Sequence, residues 1–175
     1  PDTFSSGYTA IQINGYAYNI GHSGGDHYIT NNAYINSGWK YGQTSTAQLI
    51  QLASGRITLM TAASGSADSA ITWNTGLVQD SSGKIGIGNI PTDGALHVQT
   101  GSAGTVTAST QADDIVIENS AEGGMTIITP DDESARIRFT SPSTNNDVGG
   151  ATIFYRQNIN KMNIGTEVAG GKLQL

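Results

Sequence analysis

Gly83-Lys84-Ile85-Gly86-Ile87 is the stretch that decides the fold. A glycine closes a turn, a cation follows, and two isoleucines stand two residues apart. Glycine tolerates the positive φ that a tight turn demands. A spacing of two puts both isoleucines on one face of a strand. The phrase returns as Gly55-Arg56-Ile57-Thr58-Leu59, Asn160-Lys161-Met162-Asn163-Ile164 and Gly171-Lys172-Leu173-Gln174-Leu175, with a looser copy in Ala135-Arg136-Ile137-Arg138-Phe139. Each copy predicts a turn and then a short strand. The cation stays in water at the strand entrance and discourages wrong edge pairing. A ligand-binding basic row is the alternative, disfavoured because the copies are far apart in an acidic chain. Their uneven spacing also excludes a fixed-period solenoid.

Other runs fill the gaps. Ile115-Val116-Ile117, Met125 to Ile128 and Ala151 to Tyr155 are short apolar or aromatic runs, bounded by Asp113-Asp114, Gly123-Gly124, Pro130-Asp131 and Asn145 to Gly150. They predict strands joined by turns. Ala47 to Leu52 is helical in composition but too short to hold a helix. The fold class expected is all-β, with short strands and tight turns.

Composition agrees. Charged residues are 13% of the chain and Gly is 23 of 175; low charge with abundant Gly, Ser, Thr and Asn fits neither a disordered acidic tail nor a helical protein. The net charge of -6 argues against a nucleic-acid partner. No Cys is present, so disulfides and Cys-based zinc sites are excluded. No apolar run is long enough to span a bilayer, so membrane insertion is not expected. Much of the apolar share is Ala, which leaves little area to bury per residue. Sharing a core between identical chains is one escape. The chain starts without Met and stops in mid-pattern, so it reads as an excerpt of a longer polypeptide.

Two modules are expected, with boundaries at residues 1–80 and 101–175, the second incomplete at its C-terminus. The first holds both Trp and six of the seven Tyr. Between them, residues 81–100 form a connector with Gly86-Ile87-Gly88, Pro91 and Leu96-His97-Val98.

That connector resembles a motif common in bacteriophage tail fibre and tailspike-like proteins. There it reads roughly Val-Gly-Ile-Gly, a short linker with Pro, then Leu-His-Val; here Ile85 stands where Val is usual. The first module is similar to fibre modules through Asn32-Ala33-Tyr34, Trp39-Lys40-Tyr41, Thr61-Ala62-Ala63-Ser64-Gly65 and Ile71-Thr72-Trp73. The second resembles them in Ile115-Val116-Ile117-Glu118, Gly124-Met125-Thr126-Ile127, Arg136-Ile137-Arg138-Phe139 and Met162-Asn163-Ile164-Gly165. Such modules often precede a self-cleaving intramolecular chaperone domain, which nothing in these residues matches. The resemblance implies elongated fibre modules in a homotrimer, with intertwined or side-by-side β-structure. It implies a place in the virion, a role in host attachment, and partners among other virion proteins at the fibre ends and among host surface glycans or proteins. Alternatives are an enzymatic tailspike acting on surface polysaccharide, a capsid-attached fibre or decoration protein, and a bacterial trimeric adhesin.

Trp39, Trp73, Ile85, Ile87, Leu96, Val98, Ile137, Phe139 and Ile164 are the expected structural or trimer-core residues. Tyr16, Tyr18 and Tyr41 are candidate receptor contacts, since aromatic rings bind sugars and other flat apolar faces; packing is the ordinary alternative. No catalytic, metal or cofactor residue is expected. His22 and His27, with Asp26, match no ligand spacing and suit a Gly-rich turn. Adjacent acids in Asp113-Asp114 and Asp131-Asp132-Glu133 point to opposite strand faces and read as turn residues rather than a hydrolytic pair. Gly86-Ile87-Gly88 lacks the third Gly of a dinucleotide fingerprint.

Overall fold

The computed structural model describes residues 4–105, 107–140 and 150–166. Among them the chain is all-β, with no α-helix. It divides into two compact units, Pro1–Gly123 and Gly124–Leu175.

The first unit is built on a nine-stranded sheet. Its strands are β1 (Tyr8–Asn14), β2 (Ala17–His22), β3 (His27–Asn31), β6 (Ser45–Ala53), β7 (Arg56–Gly65), β8 (Asn74–Gln79), β9 (Ile85–Ile87), β10 (Leu96–Gln99) and β11 (Ile115–Glu118), in that spatial order. Pairing is antiparallel from β1 through β9. The last three strands run parallel. A hairpin of β4 (Ala33–Ile35) and β5 (Trp39–Tyr41) forms a separate two-stranded sheet.

The turn phrase performs as its chemistry demands. Ser54 and Gly55 both have positive φ, 54° and 72°, as a two-residue type I′ hairpin requires. Gly83 and Asn160 also sit at positive φ, 85° and 49°. The copy at 171–175 lies outside the described residues, as do residues 145–149 of the expected turn.

The core lies on one face of the large sheet, beneath the β4–β5 hairpin. Tyr18, Ile20, Tyr28 and Leu49 from the sheet pack with Tyr34 and Ile35 from the hairpin, and Trp39 and Trp73 close the edge. A neighbouring cluster joins Ala33, Tyr41, Ala47 and Ala62. Ala47 and Ala62 are register partners. Their small side chains leave room for the Tyr41 ring, whose hydroxyl donates to the Ala63 carbonyl at 2.6 Å.

The expected module boundary at residue 80 falls within this unit, because the sheet runs on through β9 and β10. Glycines make that possible. A Cβ on Gly86 would lie 2.2 Å from the Asn89 carbonyl oxygen, and one on Gly88 2.3 Å from that of Gln99. The chain therefore folds back directly over β9, and parallel strands β9 and β10 are joined by only eight residues, Gly88 to Ala95.

The second unit contains a three-stranded antiparallel sheet of β12 (Ser134–Phe139), β13 (Ala151–Arg156) and β14 (Lys161–Thr166). A single 3₁₀ turn, Gln157–Ile159, leads into β14.

Two local expectations are corrected. Ala47 to Leu52 lies in strand β6, because β3 and β7 supply ladder partners on both sides and override helical composition. Met125 to Ile128 is not a strand; no strand of the described residues pairs with it, and Met125 and Ile128 stay exposed. A strand needs a neighbour for its backbone groups, whatever its propensity.

Candidate self-association surface

Residues paired directly across neighbouring strands point to the same face of a sheet. The register therefore defines rows. One row crosses the large sheet through Ile29, Ile50, Leu59, Leu77, Ile87, Val98 and Ile117, one aliphatic side chain from each of seven strands. A second row, two residues along, runs through Leu52, Ile57, Gln79, Ile85, Leu96 and Ile115. Both rows lie on the face opposite the core. Ile29, Ile50, Leu52 and Ile57 are exposed there; Leu59 is 42% exposed and Ile117 44%. A groove of about 360 Å³ among Ile29, Ile50, Leu59 and Met60 opens on it. A polar row borders it: Asn31, Gln48, Thr61 and Asn74, with the Asn31 amide donating to Gln48 at 2.7 Å.

The second unit repeats the design at smaller scale. One face carries Ala135, Tyr155 and Met162 in one row, Ile137, Ile153 and Ile164 in the next, and Phe139 and Ala151 beyond. Phe139, Met162 and Ile164 are exposed. The opposite face is polar and cationic. Arg136 and Lys161 flank the Phe154 ring at 5.3 and 5.9 Å from its centroid, and the Arg156 Nε donates to Ser134 Oγ.

The residues singled out in the sequence therefore fall into separate places. Ile85, Ile87, Leu96 and Val98 belong to the uncovered face of the first unit, and Ile137, Phe139 and Ile164 to that of the second. Trp39 and Trp73 pack elsewhere, edge to face at 5.7 Å against the hairpin core. Trp73 Nε1 is buried without a hydrogen-bond partner. Of the candidate receptor contacts, Tyr18 is 1% exposed and Tyr41 5%. Both are core residues that cannot present a ring to a partner. Tyr16 alone of the three reaches the surface, and it lies against Gly42, where a Cβ would come within 2.3 Å of its ring.

The histidine candidates are engaged within the chain. His27 Nε2 hydrogen-bonds Asn19, and His22 packs on Tyr8 at 4.5 Å while its Nδ1 accepts from the Gly24 amide. Asp113 and Asp114 precede β11, and the Asp114 carbonyl accepts from the Leu96 amide at 2.9 Å. Asp131 and Asp132 occupy the turn before β12. A cavity of about 540 Å³ at the turn ends contains Asp26, Arg56 and Asp80. Its carboxylates are held locally: Asp26 accepts from the Tyr28 hydroxyl at 3.1 Å, and Asp80 from the Ser82 and Lys84 amides, both at 2.9 Å. Burial, reinforced by the Asp26 bond, pushes the Tyr28 hydroxyl up to about 12.

One constellation escaped the sequence reading. His97, on the core side of β10, is buried and its Nε2 lies 3.0 Å from the Glu118 carboxylate on β11. The Ala103 amide donates to the other Glu118 oxygen at 2.7 Å. That backbone bond and a bond from the Gln99 side chain hold Glu118 below its ordinary value of 4.5. The pair ties the parallel strands together. Its sequence signal is a polar residue facing the opposite side from Leu96 and Val98, with a Glu ending the next strand.

The chain matches no protein-family model, no curated protein and no solved structure.

Proposed function

We propose that this chain is a non-enzymatic structural segment of a bacteriophage fibre, working as a homotrimer in the virion and contributing to attachment at the host surface. One observation carries the reading: among the described residues, the nine-stranded and the three-stranded sheet each expose contiguous aliphatic rows on one face. Scattered exposed aliphatic residues are ordinary, but contiguous rows mark an interaction surface. Fully burying one Ile or Leu stabilises by about 1.5–3 kcal/mol. Even at half that gain, the outward side chains of the first unit alone match the net stability of a typical domain, about 5–15 kcal/mol. A fibre that shares its core among identical chains uses this surface. The resemblance of the Gly86-to-Val98 motif to fibre connectors supplies the virion context.

The test is the mass of the purified chain in solution, by light scattering coupled to size exclusion. Three times 18.2 kDa is expected. A folded monomer at micromolar concentration would overturn the reading.

A further inference from the structure

We infer that the cationic face of the second unit's sheet binds a carboxylate-bearing polysaccharide. All the residues involved belong to one chain, so the site does not depend on three-fold assembly. It lies on the side of the sheet away from the aliphatic rows.

Strands β12, β13 and β14 together hold four cations and no Asp or Glu. The register puts all four on one face. Arg136 pairs with Phe154, Arg138 with Thr152, and Arg156 with both Ser134 and Lys161. Half of the chain's 8 basic residues therefore gather on one small sheet of an acidic chain. Arg136 and Lys161 belong to two separate copies of the turn phrase. Distance along the chain was the reason to disfavour a basic binding row. The pairing of β12 with β13 and of β13 with β14 removes that distance and sets both cations over one ring.

From strand rise and spacing, the four cations span on the order of 17 Å. That length suits a polymer with repeated charges better than a single small anion. Arg136 and Lys161 are exposed, yet the Phe154 ring holds them, and Ser134 holds Arg156. Side chains already held lose less freedom when a ligand arrives. Among the described residues, no ion pair joins Arg136, Arg156 or Lys161 to a carboxylate. A guanidinium fork takes a carboxylate through two parallel bonds. Ser134 and Asn163, on the same face, offer a hydroxyl and an amide to sugar hydroxyls. A nucleic acid fits less well. Single strands are held by exposed aromatic platforms, whereas Phe154 is half-buried under two cations. The net charge of -6 and the acids Asp131 to Glu133, just before β12, repel a dense polyanion more than one with a single charge per sugar.

The test is fluorescence anisotropy of labelled oligogalacturonate titrated with the full chain. A neutral malto-oligosaccharide of the same length and a short single-stranded DNA are titrated beside it. Oligogalacturonate is expected to bind most tightly of the three, and less tightly as salt rises. Replacing Arg136 and Lys161 together with Gln should weaken that binding at least about tenfold. Replacing Arg56 and Lys84 with Gln removes the same charge from the first unit and should change it by less than about twofold. If the first double variant loses its far-UV circular dichroism, Arg138→Gln takes its place, with a smaller loss in the same direction. Four results would overturn the assignment: no binding of oligogalacturonate, equal binding of the neutral sugar, equal loss in both double variants, or tighter binding of the DNA. Equal loss would show net charge at work, and tighter DNA binding would give the face to nucleic acid. The mass of the assembly is read separately, so the fibre reading stands or falls without this site.

Discussion

Asn32 shows how much one side chain can hold. It is buried with φ at 56°, and its backbone amide donates to the Tyr16 carbonyl. Its side-chain amide donates to the Gln43 and Thr46 carbonyls at 3.1 and 3.0 Å, and its oxygen accepts from the Gln43 amide at 2.8 Å. Asn is among the few residues that tolerate left-handed backbone. Replacing Asn32 with Ala strands three backbone groups and adds strain. A loss of about 2–4 kcal/mol is expected, read as a lowered urea midpoint; a loss under about 0.5 kcal/mol would show that water replaces the side chain. The residue was legible only as part of the word Asn32-Ala33-Tyr34. Its partners lie 11 and 14 positions away, and nothing local marks them. Tyr18 and Tyr41 teach the same point in reverse. Their sequence setting suited an exposed ring as well as a buried one; the hairpin lying over Tyr18, and the packing of the hairpin's own Tyr41 on Ala47 and Ala62, decided the matter.

At the scale of elements, the bonds that Glu118 accepts, from the Ala103 amide first and the Gln99 side chain on β10 next, set a pH dependence for the parallel strands. The Glu118 carboxylate has a depressed folded pKa, so its contribution is present above the unfolded value, near 4.5, and is lost as pH falls through the folded value. Faster amide exchange in Ile115–Glu118 is therefore expected at about pH 3 than the intrinsic rate change from pH 6 explains. Glu118→Gln should abolish that difference. Unchanged protection of β11 on acidification would remove the Glu118 carboxylate from any clamping role. Turns and strands were the legible part of this scale. The repeated Gly-cation-apolar phrase placed the starts of β7, β9 and β14, because glycine and asparagine at positive φ are local properties. Met125 to Ile128 has equal apolar content and forms no strand, because pairing is not a local property.

At the scale of the whole molecule, the outward direction of Ile85 and Ile87 separates two kinds of damage. In a single chain, Ile87 is 43% exposed and Ile85 only half-buried. Changing both to Asp should therefore leave the far-UV circular dichroism of the chain in place while dissociating the trimer, since the charges become buried only in the assembly. Light scattering would then report a single-chain mass. A trimer that survives the double substitution would exclude this strand from the contact.

The sequence by itself determined the all-β class, the turn positions and the alternation that divides each strand into two faces, because these follow from φ preferences and a two-residue period within a few neighbours. It also signalled that apolar area is scarce for one chain. Tertiary structure alone decided which face the β4–β5 hairpin covers. That choice depends on contacts between residues far apart in the chain, such as Tyr34 and Asp68, bonded at 2.6 Å. Covering one face with aromatic rings is what leaves the aliphatic rows of the other bare.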